Sequence, residues 1–120
     1  SSSAASDVYK RQTYNCPVEA VISLIGGKYK PIILWYLLNN TLRFNEIQRL
    51  LPQASPKMLS QQLKELQKEG FIEKVIYPEV PPKTECYMTD YGKTLEHILN
   101  EMCNWGEEFM GDYIVKPTDS

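Results

Sequence analysis

Lys57, Gln61, Lys64 and Lys68 recur at intervals of four and three in SPKMLSQQLKELQKEG, residues 55–70. On a helix turning roughly 100° per residue, that spacing stacks them along one side. Ammonium groups neutralise phosphates, and a glutamine amide can both donate to and accept from an adenine edge in the major groove. Leu59, Leu63 and Leu66 fall on the opposite side and form the stripe expected to be buried. Ser55 is placed to cap the segment ahead of Pro56, and Gly70 to stop it. The free N–H groups and the hydroxyl at that start could take a further phosphate. A face of lysine and glutamine is equally what an ordinary solvated helix presents, so the surrounding elements have to decide.

The charge distribution favours a polyanionic partner for this part of the chain. The 120 residues carry a net charge of -2 and a pI near 5.4. Residues 28–83 nevertheless hold nine basic against five acidic side chains, whereas residues 84–120 hold two against eight. A basic middle and an acidic end suit different partners.

Several functions are disfavoured. Cys16, Cys86 and Cys103 are odd in number and far apart, without a Cys-x-x-Cys pair, which argues against a disulfide framework and a zinc site. His97 has no ligand or triad partner at a suggestive spacing, and no nucleophile–base or carboxylate pair stands out, so no enzyme, metal or cofactor is expected. Gly26-Gly27 reads as a turn, since the rest of a phosphate-loop motif is missing. No run approaches the roughly 18 apolar residues of a membrane span, and no signal peptide is visible, so a cytoplasmic protein without a membrane partner is expected.

The elements that must position the lysine face follow from period and punctuation. Residues 1–13 read as a disordered tail or a non-native scar, 14–113 as one domain and 114–120 as a C-terminal tail. Pro17 with Val18, Val21, Ile22 and Ile25 predicts a first helix ending at Gly26-Gly27, and residues 30–38 predict a second. Residues 42–44 are a brief extended piece, 45–51 a third helix closed by Pro52, and the helix from Ser55 a fourth. FIEKVIY and KTECYM then alternate as two strands around the proline-rich PEVPP. A short helix, a turn and a polar-faced helix form a helix-turn-helix, and the hairpin behind it is a wing whose Lys83 could meet a flanking phosphate or the minor groove.

Thr89 is expected to cap a single last helix reaching about Tyr113. Tyr91, Leu95, Ile98, Met102, Trp105 and Phe109 recur along it at intervals of four and three, the seam of a helix packing on another helix. About 25 residues of helix span roughly 37 Å, longer than so small a domain needs, which points to a homodimer through this seam. Glu107, Glu108 and Asp112 form an acidic end expected to lie away from a nucleic acid. Cys16 stands at the start of the first helix, where the positive end of the dipole favours a thiolate. It is therefore the candidate redox sensor, although a cysteine is more often an inert buried hydrophobe.

CPVEAVISLIGGKYKPIILWYL, LRFNEIQRLLPQASPKMLSQQLKELQKEGFIEKVIYPEVPPKTECYMTDYGKTL and CNWG together resemble the HxlR-type winged helix-turn-helix regulators of bacteria, within the MarR-like superfamily, over nearly all of residues 16–106. The resemblance implies an α+β winged helix-turn-helix with an N-terminal helix and a long C-terminal dimerisation helix. It also implies a homodimer that binds double-stranded DNA and acts as a transcriptional repressor or activator. In its terms Arg43, Ser55, Lys57, Met58, Gln61 and Lys64 lie at the DNA face, Lys28 and Lys30 lie near the backbone, and Lys83 belongs to the wing. Several regulators resembling this family sense electrophiles or oxidants through a cysteine at the place of Cys16. Cys86 departs from the pattern, which has an aromatic or polar residue there, and adds a thiol without an assigned role. The competing reading is a winged-helix interaction module that has lost DNA binding; the low pI allows it, and the intact Lys57, Gln61 and Lys64 face and the Lys83 wing oppose it.

Overall fold

The computed structural model describes residues 13–115; the expected N-terminal tail up to residue 12 and residues 116–120 of the expected C-terminal tail lie outside the described residues. Helix α1 (Pro17–Ile25) begins with proline at its first position and is followed by Gly27 at φ +97°, a left-handed conformation that glycine adopts without strain. Helix α2 (Lys30–Leu37) contributes Ile33, Leu34 and Leu37 to the centre of the core. Strand β1 (Leu42–Arg43) leads directly into helix α3 (Phe44–Leu50), one residue earlier than the spacing predicts, because the Arg43 N–H donates to Glu46 Oε1 at 2.8 Å and so anchors the first turn.

Helix α4 (Pro56–Lys68) has the expected ends. The Ser55 hydroxyl accepts from the Met58 N–H at 3.1 Å, and Gly70 at φ +85° turns the chain so that the Phe71 N–H reaches the Leu66 carbonyl at 3.0 Å. The turn between α3 and α4 is braced by Gln48, whose Nε2 donates to the Ala54 carbonyl at 2.6 Å and the Leu51 carbonyl at 3.3 Å. Buried carbonyls in a turn need such donors, and one side chain supplies both here. The angle between the two helices is thereby held from inside.

Strands β2 (Ile72–Tyr77) and β3 (Lys83–Met88) form the wing hairpin, paired from Ile72 opposite Met88 to Tyr77 opposite Lys83. β1 adds to the other edge of β3, giving the antiparallel order β1-β3-β2 with Leu42 opposite Cys86 and Arg43 opposite Glu85. Cys86 therefore lies on the central strand, fully buried, where burial pushes its thiol pKa up. The thiol without an assigned role is a core side chain.

The last helix is not continuous. Thr89 does cap a helix, accepting from the Gly92 N–H at 2.9 Å while its own hydroxyl contacts the Gly70 carbonyl at 2.6 Å, but this helix, α5, covers only Asp90–Lys93. The chain then tightens: the Thr94 and Leu95 N–H groups bond the carbonyls three residues back, and the Thr94 hydroxyl also takes the Tyr91 carbonyl. A helix-weakening glycine followed by a β-branched residue that competes for a backbone acceptor ends the turn there. Helix α6 (Glu96–Met110) restarts and runs into a 3-10 turn (Gly111–Tyr113), so the long element spans roughly 22 Å rather than the expected length. The break lets Leu95 and Leu99 drop into the core. Among the described residues no helix is long and apolar enough to cross a membrane.

Candidate nucleic-acid interface

Leu59, Leu63 and Leu66 are at most 1 % exposed, which fixes the rotation of α4 about its axis. Lys57, Met58, Gln61, Lys64 and Lys68 are then all exposed, together with the capping Ser55. No buried side chain among the described residues is polar or charged at the level of whole residues, so the separation of the two faces is clean. Such a face offers three ammonium groups, an amide and an uncovered methionine.

The second cationic group sits where the wing meets β1. Arg43 and Lys83 line one cleft of about 480 Å³ with Phe44 and the wing tip, where Val80 is fully exposed. Lys83 Nζ lies 3.5 Å from Glu85 Oε2 and 5.2 Å from the centre of the Tyr77 ring, while Glu85 also accepts from the Tyr77 hydroxyl and so raises its pKa. The wing lysine is thus presented on an aromatic and carboxylate seat. Lys28 is exposed, with its Nζ 5.6 Å from the centre of the Tyr29 ring. Lys30 is placed differently: its side chain is 14 % exposed and its Nζ lies 2.6 Å from Glu65 Oε1 on α4. Sequence reasoning passed over Glu65 and Glu85. The four-residue spacing of Gln61 and Glu65 was a readable signal for the first, whereas the approach of Lys30 is tertiary.

The three cysteines occupy distinct environments. Cys16 is exposed, and the N–H groups of Glu19 and then Val18 at the open start of α1 hold its pKa below the ordinary thiol value, against a lesser contribution from desolvation. Cys103 is half-buried and its Sγ donates to Glu107 Oε1 at 3.3 Å, which favours the protonated thiol; burial and the carboxylate charge push the same way.

The expected helix seam divides. Leu95 turns inward together with Leu99, which lies outside that seam, whereas Tyr91, Ile98, Met102, Trp105 and Phe109 remain exposed, with the Trp105 and Phe109 rings 5.0 Å apart. Val18 and Ile22 on α1 are likewise exposed, at 64 % and 59 %. Between α2 and α6 an open groove of about 860 Å³ runs past Ile32, Trp35, Met102 and Cys103 towards Ile114. Uncovered apolar side chains in such number are unusual on a small monomer.

The HxlR-like helix-turn-helix family matches residues 24–113. YdeP of Bacillus subtilis (strain 168), an uncharacterized HTH-type transcriptional regulator, is 44% identical over 94 residues, covering 78% of this chain and 73% of YdeP. The redox regulator HypR in its oxidized form superposes with a TM-score of 0.75 at 42% identity, covering 78% of this chain and 96% of HypR. The reduced form of the transcriptional regulator YodB from B. subtilis gives 0.67 at 34% identity, covering 80% of this chain and 95% of YodB. With a helix-turn-helix and a wing hairpin at its side, and with these likenesses over most of its length, the chain belongs to the HxlR-like helix-turn-helix family of DNA-binding transcriptional regulators.

Proposed function

We propose that the protein is a cytoplasmic regulator that binds double-stranded DNA as a homodimer, with residues 14–113 as its functional domain and α4 lying in the major groove. The observation that carries this reading is the rotation of α4: three leucines buried on one side leave Lys57, Met58, Gln61 and Lys64 together on the other. Lys57 and Lys64 serve phosphates and Gln61 a base edge, while Ser55 and the α4 start take a further phosphate. Arg43 and Lys83 contact the flanking backbone or minor groove, and Lys28 adds a further backbone contact. Two copies pair through Ile98, Met102, Trp105 and Phe109, with Leu95 beneath them holding α6 on the domain. The exposed apolar faces of α6 and α1 support this pairing.

The test is selection of bound fragments from random genomic DNA. The wild-type protein should enrich duplexes with two half-sites about one helical turn, roughly 34 Å, apart. Gln61→Ala should lose roughly 1–3 kcal/mol at a single base pair, and Lys64→Ala should weaken all duplexes alike and flatten the salt slope by about one unit. Enrichment of no sequence by the wild type, or unchanged binding by both variants, would favour an interaction module in place of a DNA reader.

Cys16 supports a second layer to this reading. An exposed thiol with its thiolate favoured at a helix start is the group that a small electrophile or oxidant would modify first, and HypR is a redox regulator of similar fold. Modification there would act on DNA affinity through the α1 and α6 surfaces.

A further inference from the structure

The face of α4 does not stand alone. Glu65 lies one turn beyond Gln61 and uses both carboxylate oxygens: Oε1 meets Lys30 Nζ at 2.6 Å and Oε2 accepts from Gln61 Nε2 at 3.3 Å. Lys30 reaches it from the first turn of α2, with its side chain largely covered, while Glu65 is 41 % exposed. The chain of contacts therefore runs from a lysine held in the domain, through a carboxylate, to the amide proposed to read a base.

We propose that Lys30 and Glu65 are positioning residues for base readout by Gln61, and that Lys30 is not a phosphate contact. This rests on the assignment of α4 as the reading helix. A carboxylate only accepts, so the amide nitrogen of Gln61 must face Glu65 and its oxygen must face outward. The reversed amide would set two oxygens against each other. One N–H is spent on Glu65, and the second N–H and Oε1 stay free in a fixed order, the acceptor and donor pair that matches N6 and N7 of adenine. An exposed glutamine otherwise samples several rotamers, and ordering it costs free energy at the moment of binding. The pin from Lys30 keeps Glu65 ionised and in place: the hydrogen bond from Lys30 is the largest influence lowering the Glu65 pKa. Paired with Glu65, the Lys30 ammonium is also withheld from loose phosphate binding, so the arrangement trades general affinity for choice of sequence.

The experiment measures affinity for the best selected duplex and for its variant at the base pair whose preference depends on Gln61, across a salt series. The proteins are wild type, Gln61→Ala, Glu65→Ala, Lys30→Met and the double variant Gln61→Ala with Glu65→Ala. Glu65→Ala and Lys30→Met should each lower the preference between the two duplexes roughly three- to tenfold. Lys30→Met should leave the salt slope unchanged, and Glu65→Ala should bind the wrong duplex at least as tightly as wild type does. The double variant should lose no more preference than Gln61→Ala alone, because the residues act as one unit. Melting curves close to wild type would show that the folded domain is intact, and Lys30→Met approaches the link from its other end should Glu65→Ala alter α4. A salt slope lower by about one unit in Lys30→Met, with preference retained, would make Lys30 a phosphate contact and overturn the proposal. Additive losses in the double variant would overturn it as well. If Gln61→Ala itself left every preference unchanged, the reading of α4 would fall first, a result separable from failure of the positioning link alone.

Discussion

Helices α4 and α6 are both amphipathic, α4 burying Leu59, Leu63 and Leu66 and α6 burying Leu99, yet their outward faces differ in kind. α4 turns lysines and a glutamine to solvent, whereas α6 turns out Ile98, Met102, Trp105 and Phe109. A polar, cationic face is stable in water and gains by exchanging counterions for a polyanion; an apolar face of this size is relieved only by a second apolar surface. The same chain thus presents one surface whose chemistry suits a polyanion and one whose chemistry suits a second apolar surface. The acidic side chains Glu107, Glu108 and Asp112 lie on α6 and the turn after it, where their charge disfavours the approach of a polyanion.

The contrast breaks most severely if the apolar face is given a charge. Met102→Glu should yield monomers in sedimentation and lower DNA affinity by on the order of a hundredfold or more, since each half-site then loses its linked second contact. A variant that remains dimeric would remove α6 from the interface. Next comes the hidden side of α4. Leu63→Ala should lower the unfolding free energy by about 2–5 kcal/mol in denaturant titration, while Lys57→Ala on the outer side should change it by about 0.5 kcal/mol or less. Equal effects on stability from the two would mean that the faces are not separated as described.

The smallest expected effect sharpens the comparison at the cysteines. Lowered in pKa, Cys16 has more thiolate at neutral pH than an ordinary thiol, whereas Cys103 and Cys86, raised in pKa, have less. Alkylation followed by mass spectrometry against pH should find Cys16 reacting first, with its half-maximal rate shifted below that of the other two, and Cys86 last because it is buried as well. In Cys16→Ser, oxidant treatment should leave DNA binding intact. Loss of binding in that variant would move the sensor elsewhere.

Much of the architecture of α4 was legible because it depends on local rules. The Ser55 cap, the Pro56 start, the Gly70 stop and the leucine stripe of α4 each involve residues within one or two turns of one another, so spacing alone locates them. The terminal helix was read less well for the opposite reason. Its heptad-like pattern was real, but it did not distinguish Leu95, which is buried within the chain, from Ile98, which is exposed, and it gave no weight to Leu99. Gly92 and Thr94 were present as helix weakeners, and their effect depended on the apolar side chains being drawn into the core.

Sequence by itself determined the order of elements as far as the wing hairpin, the caps at Ser55 and Thr89 and the polarity of α4, since these follow from periodicity and from hydrogen-bonding options within a few residues. It also carried the family likeness, spread over most of the chain. Only the tertiary structure decided that β1 would close a three-stranded sheet over Cys86, that Gln48 would brace the turn, and that Lys30 would cross from α2 to Glu65 rather than stay in solvent. Each of these joins groups brought together by burial of the leucine core, a non-directional force that sets which elements pack. The short-range geometry of each hydrogen bond and ion pair then selects the partners.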